Sequence, residues 1–209
     1  MTRKSTLVLA AALAIVAALL GAVIARALIG TSGPTQASLT HATLLEPPLA
    51  LPQVTLIDDA GGPFTLERLQ NGWHLLFFGF TNCPDVCPNT LTVLASVARS
   101  LDDLPPSQQP QVVLVSVDPA RDTPEKLTAY VRFFSDRFIG VTGSEDAIAQ
   151  FTRAVGIPVA KVPLEGGEYT VDHGGGILLI DPQGRLRALF SMPHDVATIT
   201  GDYRRIVGG

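Results

Sequence analysis

The first pattern along the chain is a long apolar run, Leu7 to Ala25, that contains no charged or strongly polar side chain. A helix of that length measures about 28 Å, which matches the hydrocarbon thickness of a bilayer. Arg3 and Lys4 precede the run, and basic residues beside a transmembrane segment tend to stay cytoplasmic. The pattern therefore predicts one N-terminal transmembrane helix within residues 1–30, with the rest of the chain across the membrane.

A cleaved signal peptide is the alternative, because Ala25-Arg26-Ala27 has the small-x-small form of a cleavage site. Signal peptides usually have an apolar region of about 7–15 residues, so the longer run favours an uncleaved anchor. Residues 31–52 are rich in proline and small polar side chains, which predicts a linker. A folded domain is then expected over residues 53–209.

The rest of the chain alternates between apolar runs and segments with helical periodicity. Strands are predicted at Gln53–Ile57, Trp73–Phe80, Val112–Val117, Phe138–Val141, Glu168–Val171, Ile177–Asp181 and Arg185–Phe190. Helices are predicted at Pro88–Leu101, from the cap Thr123 to Phe134, from the cap Ser144 to Val155, and from the cap Asp195 to Ile206. This alternation, which ends in a hairpin and a helix, predicts an α/β fold with a central mixed sheet.

Composition removes several classes of function. Hydrophobic residues make up 46% of the chain and charged residues 16%, which excludes a disordered polyelectrolyte. The net charge of −4 leaves no surplus of basic side chains to neutralise phosphates, so no nucleic-acid partner is expected. With only 2 cysteines, the chain is not a disulfide-rich scaffold.

Both cysteines lie where the most apolar predicted strand gives way to a helix, in Phe80-Thr81-Asn82-Cys83-Pro84-Asp85-Val86-Cys87-Pro88. Cys83 and Cys87 are four residues apart, so in helical geometry they share a face. A helix N-terminus stabilises the thiolate, the form that binds metal or attacks a disulfide. Two sulfurs on one face suit Cu(I) or Zn(II). An inert structural disulfide is less favoured, because closing so short a loop contributes only about 2 kcal/mol.

A further ligand is expected from elsewhere, since two sulfurs leave a zinc site incomplete, and the 4 histidines are the candidates. His41 lies in the predicted linker, His74 within a buried strand, and His194 just before a helix cap. These positions favour structural roles. His173 lies in Val171-Asp172-His173-Gly174-Gly175-Gly176, where three glycines allow close approach of the backbone. His173 is therefore the best candidate of the four, although spacing alone does not establish ligation.

Three segments carry a resemblance to a known family. Phe77-Phe78-Gly79-Phe80-Thr81-Asn82-Cys83-Pro84-Asp85-Val86-Cys87-Pro88 resembles the copper motif of the SCO/SenC family of cytochrome oxidase assembly proteins. Ser116-Val117-Asp118-Pro119-Ala120-Arg121-Asp122-Thr123-Pro124 resembles a second family signature. Val171-Asp172-His173, followed by Leu179-Ile180-Asp181-Pro182-Gln183-Gly184, resembles the third. The similarity covers residues 45–207 in the right order.

The resemblance implies a thioredoxin-like fold and one copper ion, Cu(I) or Cu(II), bound by Cys83, Cys87 and His173. It implies a role in assembling the binuclear copper centre of cytochrome c oxidase subunit II, by delivering copper or by reducing cysteines. Asp85 and Asp172 match acidic positions beside the ligands, where they would support the ligands or face a partner. The alternative is that both acids are solvated loop residues, which neither support the ligands nor face a partner.

These inferences together predict a single-pass copper chaperone of the bacterial cytoplasmic membrane, with its C-terminal domain in the periplasm. A periplasmic copper donor or thiol reductant is the further partner expected. The alternative is a membrane-anchored thiol–disulfide oxidoreductase, in which Cys83 and Cys87 form a redox-active pair. Three residues between the cysteines, rather than the two usual in thioredoxin-type reductants, favour metal. A peroxidase-like relative would need an activating arginine, and neither Arg99 nor Arg121 is obviously placed for that.

Gly174–Gly176 stands where the family is expected to have bulkier residues, which predicts a more flexible His173 loop.

Overall fold

The computed structural model describes residues 13–21 and 39–208. Residues 13–21 form a helix, α1, that is exposed along its length. Within the described ranges, no helix has both the length and the hydropathy needed to span a membrane. Much of the anchor predicted within residues 1–30 lies outside those ranges, so the transmembrane helix stays a prediction.

The remaining elements alternate along the chain. The strands are β1 Ala42–Ala50, β2 Leu56–Asp58, β3 Pro63–Phe64, β4 Trp73–Gly79, β5 Pro110–Ser116, β6 Ile139–Thr142, β7 Val159–Pro163, β8 Tyr169–His173, β9 Ile177–Ile180 and β10 Arg185–Phe190. The helices are α2 Val86–Ser100, α3 Pro124–Phe134, α4 Glu145–Ala154 and α5 Val196–Val207, with short 3-10 helices at Leu66–Leu69, Pro106–Gln108 and Glu165–Gly167. One mixed sheet has the order β1-β10-β9-β4-β5-β6-β2-β3, and β7 pairs with β8 separately. The predicted α/β fold with a central mixed sheet is confirmed.

Strand β4 occupies the centre of this sheet because it is apolar on both faces. Phe77 and Phe78 point to opposite faces and are both fully buried. β4 runs parallel to β5 and antiparallel to β9. The parallel pair requires a crossover, which α2 provides while it buries Leu91 and Leu94. The runs predicted as strands at Trp73–Phe80, Val112–Val117 and Ile177–Asp181 thus form the inner strands β4, β5 and β9. The cysteine loop begins at the carboxyl end of β4.

The linker predicted over residues 31–52 is wrong for Ala42–Ala50, which forms edge strand β1 against β10. Pro47 and Pro48, two of the prolines that suggested a linker, fall between Leu44 and Leu49, where the pairing register is irregular. Proline is tolerated at sheet edges and bulges because no ladder hydrogen bond is required of it there. The sheet of the domain therefore begins before the predicted boundary at residue 53.

Asp202 of α5 fixes the start of this edge strand. Its buried carboxylate accepts hydrogen bonds from the backbone N–H groups of Thr40, His41 and Ala42, at 2.7–3.1 Å. Arg205 donates to the same carboxylate at 2.8 Å. Burial would raise the pKa of Asp202, but these N–H groups and Arg205 outweigh burial, and the pKa is lowered. The charge of Asp202 thus ties β1 to the last helix.

Candidate metal centre

The turn between β4 and α2 places both sulfurs on one side of the chain. Cys87 lies in the first turn of α2 and is fully buried, whereas Cys83 is half-buried in the preceding loop. The Cys87 backbone N–H points to Cys83 Sγ, with an N···S distance of 3.4 Å. A Cβ on Gly79 would lie 2.9 Å from Cys87 Sγ, so glycine at the end of β4 makes room for this thiol. Both cysteines are free, and no disulfide joins them.

His173, the last residue of β8, completes a cluster with the two cysteines. Its Nε2 lies 3.5 Å from Cys87 Sγ. The ligand atoms of Cys83, Cys87 and His173 all lie within 4.8 Å of one another. Among the residues that the structure describes, this is the only group of three or more His, Cys, Asp or Glu side chains able to hold a metal ion. The residues chosen from the sequence as candidate ligands are therefore brought together.

Two aromatic rings and a carbonyl orient the imidazole. Phe77 and Phe80 meet the His173 ring edge to face, with centroid distances of 6.0 and 5.9 Å. Nδ1 of His173 lies 3.2 Å from the carbonyl oxygen of Gly174. Donation from Nδ1–H to that carbonyl leaves the Nε2 lone pair directed towards the sulfurs, as a metal ligand requires.

The two thiols differ strongly in acidity. The hydrogen bond from Cys87 is the main cause that lowers the pKa of Cys83, aided by backbone N–H groups, while burial opposes it. The hydrogen bond with Cys83 and burial raise the pKa of Cys87. The reduced pair therefore shares one proton, with Cys83 as the thiolate and Cys87 as the thiol. A metal ion that binds both sulfurs must displace the proton of Cys87.

The end of β5 and the segment that joins it to α3 hold the cysteine loop through hydrogen bonds, a role that the sequence did not reveal. The buried carboxylate of Asp122 accepts from the backbone N–H of Thr81 at 3.0 Å and from its hydroxyl at 2.6 Å. The Ser116 hydroxyl donates to the same carboxylate at 2.6 Å. Asp122 thus fixes the start of the loop that carries Cys83. The signal that could have identified it is the second family signature, which contains both Ser116 and Asp122.

The same segment holds the strand that carries His173. The hydroxyl of Tyr169, at the start of β8, donates to the buried Asp118 carboxylate at 2.7 Å. Arg121 forms an ion pair with Asp118, and its guanidinium carbon lies 3.8 Å from the centroid of the Tyr169 ring. The guanidinium of Arg121 therefore contacts both Asp118 and Tyr169. One stretch of chain consequently positions both ligand-bearing elements.

The acids predicted beside the ligands are both exposed. Asp85 and Asp172 line an open cavity of about 280 Å³ together with Cys83 and His173. The Asp85 carboxylate accepts from the Asn89 side chain at 2.6 Å. Neither acid belongs to the three-residue cluster. Their support of the ligands, or of a partner, stays a prediction.

The other three histidines lie against backbone carbonyl groups. His74 is buried in β4 with Nδ1 3.1 Å from the Gly72 oxygen, and burial lowers its pKa to about 4. His41 Nε2 lies 2.7 Å from the oxygen of Ser191. His194 Nε2 lies 2.7 Å from the oxygen of Gly175. These contacts agree with the structural roles expected for them.

The loop after His173 is held at two points, in contrast to the flexibility expected from its glycines. Gly174 donates its N–H to the carbonyl oxygen of Pro158 at 3.0 Å. His194 donates to the carbonyl oxygen of Gly175 from the other side. The glycines therefore serve close packing here, since a Cβ on Gly174 would lie 3.1 Å from Pro158.

Comparisons with known proteins place the chain among copper proteins. It is 40% identical over 146 residues to a Stutzerimonas stutzeri protein whose name assigns it copper binding, a match that covers 69% of this chain and 70% of that one. It is 36% identical over 152 residues to the mitochondrial SCO2 homologue of Bos taurus, covering 72% of this chain and 57% of the cattle protein.

Solved structures of copper-bound proteins are also similar to this chain. Copper-bound ScoI of Arabidopsis thaliana has a TM-score of 0.71 and 32% identity, with 76% of this chain and 99% of that chain covered. Copper-bound yeast Sco1 has a TM-score of 0.71 and 28% identity, with 78% of this chain and 90% of that one covered. These relatives support copper as the ion expected from the sequence. The SCO1/SenC family model matches residues 45–208, and the chain belongs to that family.

Proposed function

We propose that this protein is a copper chaperone that binds one copper ion through Cys83, Cys87 and His173. It delivers the ion to the binuclear copper centre of cytochrome c oxidase subunit II. The observation that carries the proposal is the convergence of two sulfurs and one imidazole nitrogen within 4.8 Å. Two thiolates and an imidazole hold Cu(I) in three-coordinate form, and Cu(II) with one added ligand. Zinc prefers four ligands, and the described residues offer three in this cluster.

The burial of the two sulfurs suits a carrier that must release its ion. Cys83 borders the open cavity, whereas Cys87 is fully buried beneath it. A thiol of a partner can enter the cavity and replace Cys83 first, while Cys87 and His173 still hold the ion. A closed site would offer no such sequence of ligand exchange.

The proposal includes an arrangement in the cell. The apolar run and the basic residues before it support a single-pass anchor in a bacterial cytoplasmic membrane, with the copper domain in the periplasm. Copper and electrons would then come from a periplasmic copper donor or thiol reductant. A reporter fused after Gly209 should behave as an exported protein, and cytoplasmic activity of that fusion would contradict the arrangement.

A second candidate function is favoured by the lowered pKa of Cys83. As a thiol–disulfide oxidoreductase, the Cys83 thiolate attacks a partner disulfide, forms a mixed disulfide and releases one partner thiolate. Cys87 then loses its proton and attacks Cys83 Sγ, which releases the second partner thiolate and leaves a Cys83–Cys87 disulfide. Two electrons pass to the partner, and an external thiol reductant must restore the pair.

Copper titration of the parent and of single variants tests the proposal. The parent should bind one copper per chain in either oxidation state. Cys83→Ala and Cys87→Ala should weaken binding of both Cu(I) and Cu(II). His173→Ala should keep Cu(I) on two sulfurs but lose most Cu(II) binding, because Cu(II) requires more and harder ligands. His41→Ala removes an imidazole outside the cluster and is the matched control.

Two results of the copper titration would contradict the proposal. If the parent binds no copper in either oxidation state, the chaperone proposal fails and the oxidoreductase replaces it. If His173→Ala binds Cu(II) as well as the parent does, the nitrogen ligand is another residue, and His194 is the next to test.

A further inference from the structure

Sheet topology brings the end of β10 to the same edge as the metal cluster. Phe190, the last residue of β10, pairs with Ile177 at the start of β9, and Ile177 pairs with Phe77 of β4. The cysteine loop follows β4, and the His173 loop precedes β9. Met192, two residues beyond β10, is therefore placed beside both.

The side chain of Met192 is accessible to solvent, with 54% of its surface exposed. It lines the cavity that contains Cys83 and His173. It also lines a neighbouring cavity of about 240 Å³, which contains His194. The thioether thus lies on the rim between the candidate copper cavity and the outer surface.

Gly175 is what allows this position. A Cβ on Gly175 would lie 2.6 Å from Met192 Sδ and 2.9 Å from its Cε, so any side chain there would displace the thioether. Because glycine stands there, Met192 Sδ lies directly over the backbone two residues after His173. The absence of a side chain at Gly175 and the position of Met192 are therefore directly linked.

We propose that Met192 Sδ is a further Cu(I) ligand at the mouth of this site, an inference that rests on copper binding by Cys83, Cys87 and His173. A thioether is a soft, uncharged donor that favours Cu(I) over harder ions. The methionine side chain has three rotatable bonds, which let its sulfur follow an ion across the cavity mouth. Met192 would add a weak bond that an incoming thiol can displace.

Selenium labelling tests this directly, because the chain contains only two methionines, Met1 and Met192. Full-length protein with selenomethionine is loaded with Cu(I), its copper content is measured, and X-ray absorption is recorded at the selenium edge. The parent should show a copper neighbour of selenium. Met192→Leu, which keeps the side-chain volume and leaves only the selenium of Met1, should show none.

Competition with a Cu(I) chelator gives an independent measurement. Met192→Leu should bind Cu(I) roughly tenfold more weakly, at the low end of the loss typical for accessory groups of metal sites. Cu(II) binding should be unchanged, because a thioether contributes little to the harder ion. Gly175→Ala should reproduce the loss with Met192 still present. The backbone of Gly175 is outside the left-handed region, so alanine fits its conformation.

The outcomes separate this inference from the proposed function. A parent that binds one Cu(I) but shows no selenium–copper contact overturns the role of Met192 and leaves the chaperone intact. Equal Cu(I) affinity of the parent and Met192→Leu also overturns it. A parent without copper refutes the proposed function, and with it the ligand role of Met192.

Discussion

Thr81 donates both its backbone N–H and its hydroxyl to the carboxylate of Asp122, which lies 41 residues further along the chain. This relationship fixes the beginning of the cysteine loop to a buried carboxylate. Its consequence is that the geometry of the sulfurs depends on a residue that touches neither of them.

Asp122→Asn should weaken both folding and copper binding. The substitution keeps the size of the side chain but removes the charge that accepts from Thr81 and Ser116. Hydrogen bonds to charged groups contribute about 1.5–3 kcal/mol each, against about 0.5–1.5 kcal/mol for neutral ones. With three bonds weakened by about 1 kcal/mol each, the free energy of unfolding should fall by about 3 kcal/mol. Cu(I) affinity should fall roughly tenfold. Urea unfolding and chelator competition measure the two effects.

Asp102→Asn is the matched control, because Asp102 forms an exposed ion pair with Arg137. Such a pair contributes about 0–1 kcal/mol, so both measurements should stay close to the parent. If Asp122→Asn is also indistinguishable from the parent, Asp122 does not position the loop.

Alkylation should distinguish the two thiols in the reduced protein. Because the pKa of Cys83 is lowered, Cys83 should react with iodoacetamide well below pH 8.5, the ordinary thiol pKa. Cys87 should stay unmodified, since it is buried and its pKa is raised. Mass spectrometry after short reactions at several pH values locates the label. Rapid labelling of Cys87 would contradict the assignment.

The cause of this acidity can be tested in the same way. The hydrogen bond from Cys87 is the largest influence that lowers the pKa of Cys83. Cys87→Ala should therefore move the pH profile of Cys83 alkylation upward, towards the ordinary thiol value. An unchanged profile would show that the thiolate is stabilised by other groups.

His74 should make the folded state less stable in mild acid. Its pKa is about 4 when folded, because of burial, against about 6.5 when unfolded. Between those values the unfolded chain binds more protons, so the free energy of unfolding falls as the pH falls from about 6.5 to 4. At 1.36 kcal/mol per pKa unit the loss approaches about 3 kcal/mol.

Chemical denaturation of the parent and His74→Gln across this pH range measures the contribution. The variant should show a flatter dependence on pH, even if it is less stable at neutral pH. His41→Gln, which replaces a half-exposed imidazole outside the core, is the matched control. Equal slopes for the parent and His74→Gln would show that another group titrates.

Asp202→Ala should release the start of β1. Three backbone N–H groups would lose their charged acceptor inside the protein, so the free energy of unfolding should fall by about 3 kcal/mol. Hydrogen exchange at residues 40–42 should accelerate. Asp103→Ala removes an exposed ion pair with Arg204 and should change neither measurement. If the hydrogen-exchange rates of residues 40–42 are unchanged in Asp202→Ala, Asp202 does not hold the start of β1.

The sequence predicted the centre of the fold better than its edges. The β4 segment is apolar on both faces, and such a run has few alternatives to a buried strand. β1 was missed because its prolines resemble a linker, and only pairing with β10 shows that they occupy an irregular edge. β7, Val159–Pro163, was missed because it is mostly exposed and pairs with β8 alone.

In the candidate site, the sequence indicated the ligands but not the residues that position them. The cysteines could be assigned from their spacing, and His173 from its glycine loop together with the family resemblance. The contacts of Asp122 with Thr81 and of Asp118 with Tyr169 join residues 41 and 51 positions apart. No local pattern indicates such pairs, because they depend on how the strands are ordered in the sheet.

The register of β1 has a geometric consequence for how far the copper site can travel. Ala42 pairs with Phe190, Phe190 with Ile177, and Ile177 with Phe77. The chain thus enters the domain three strand spacings, about 15 Å, from the strand that leads into the cysteine loop. In the proposed anchored arrangement, the tether would attach at this edge and confine the copper cavity near the membrane surface. A membrane-bound acceptor would then meet the cavity at a high local concentration, without a long diffusive search.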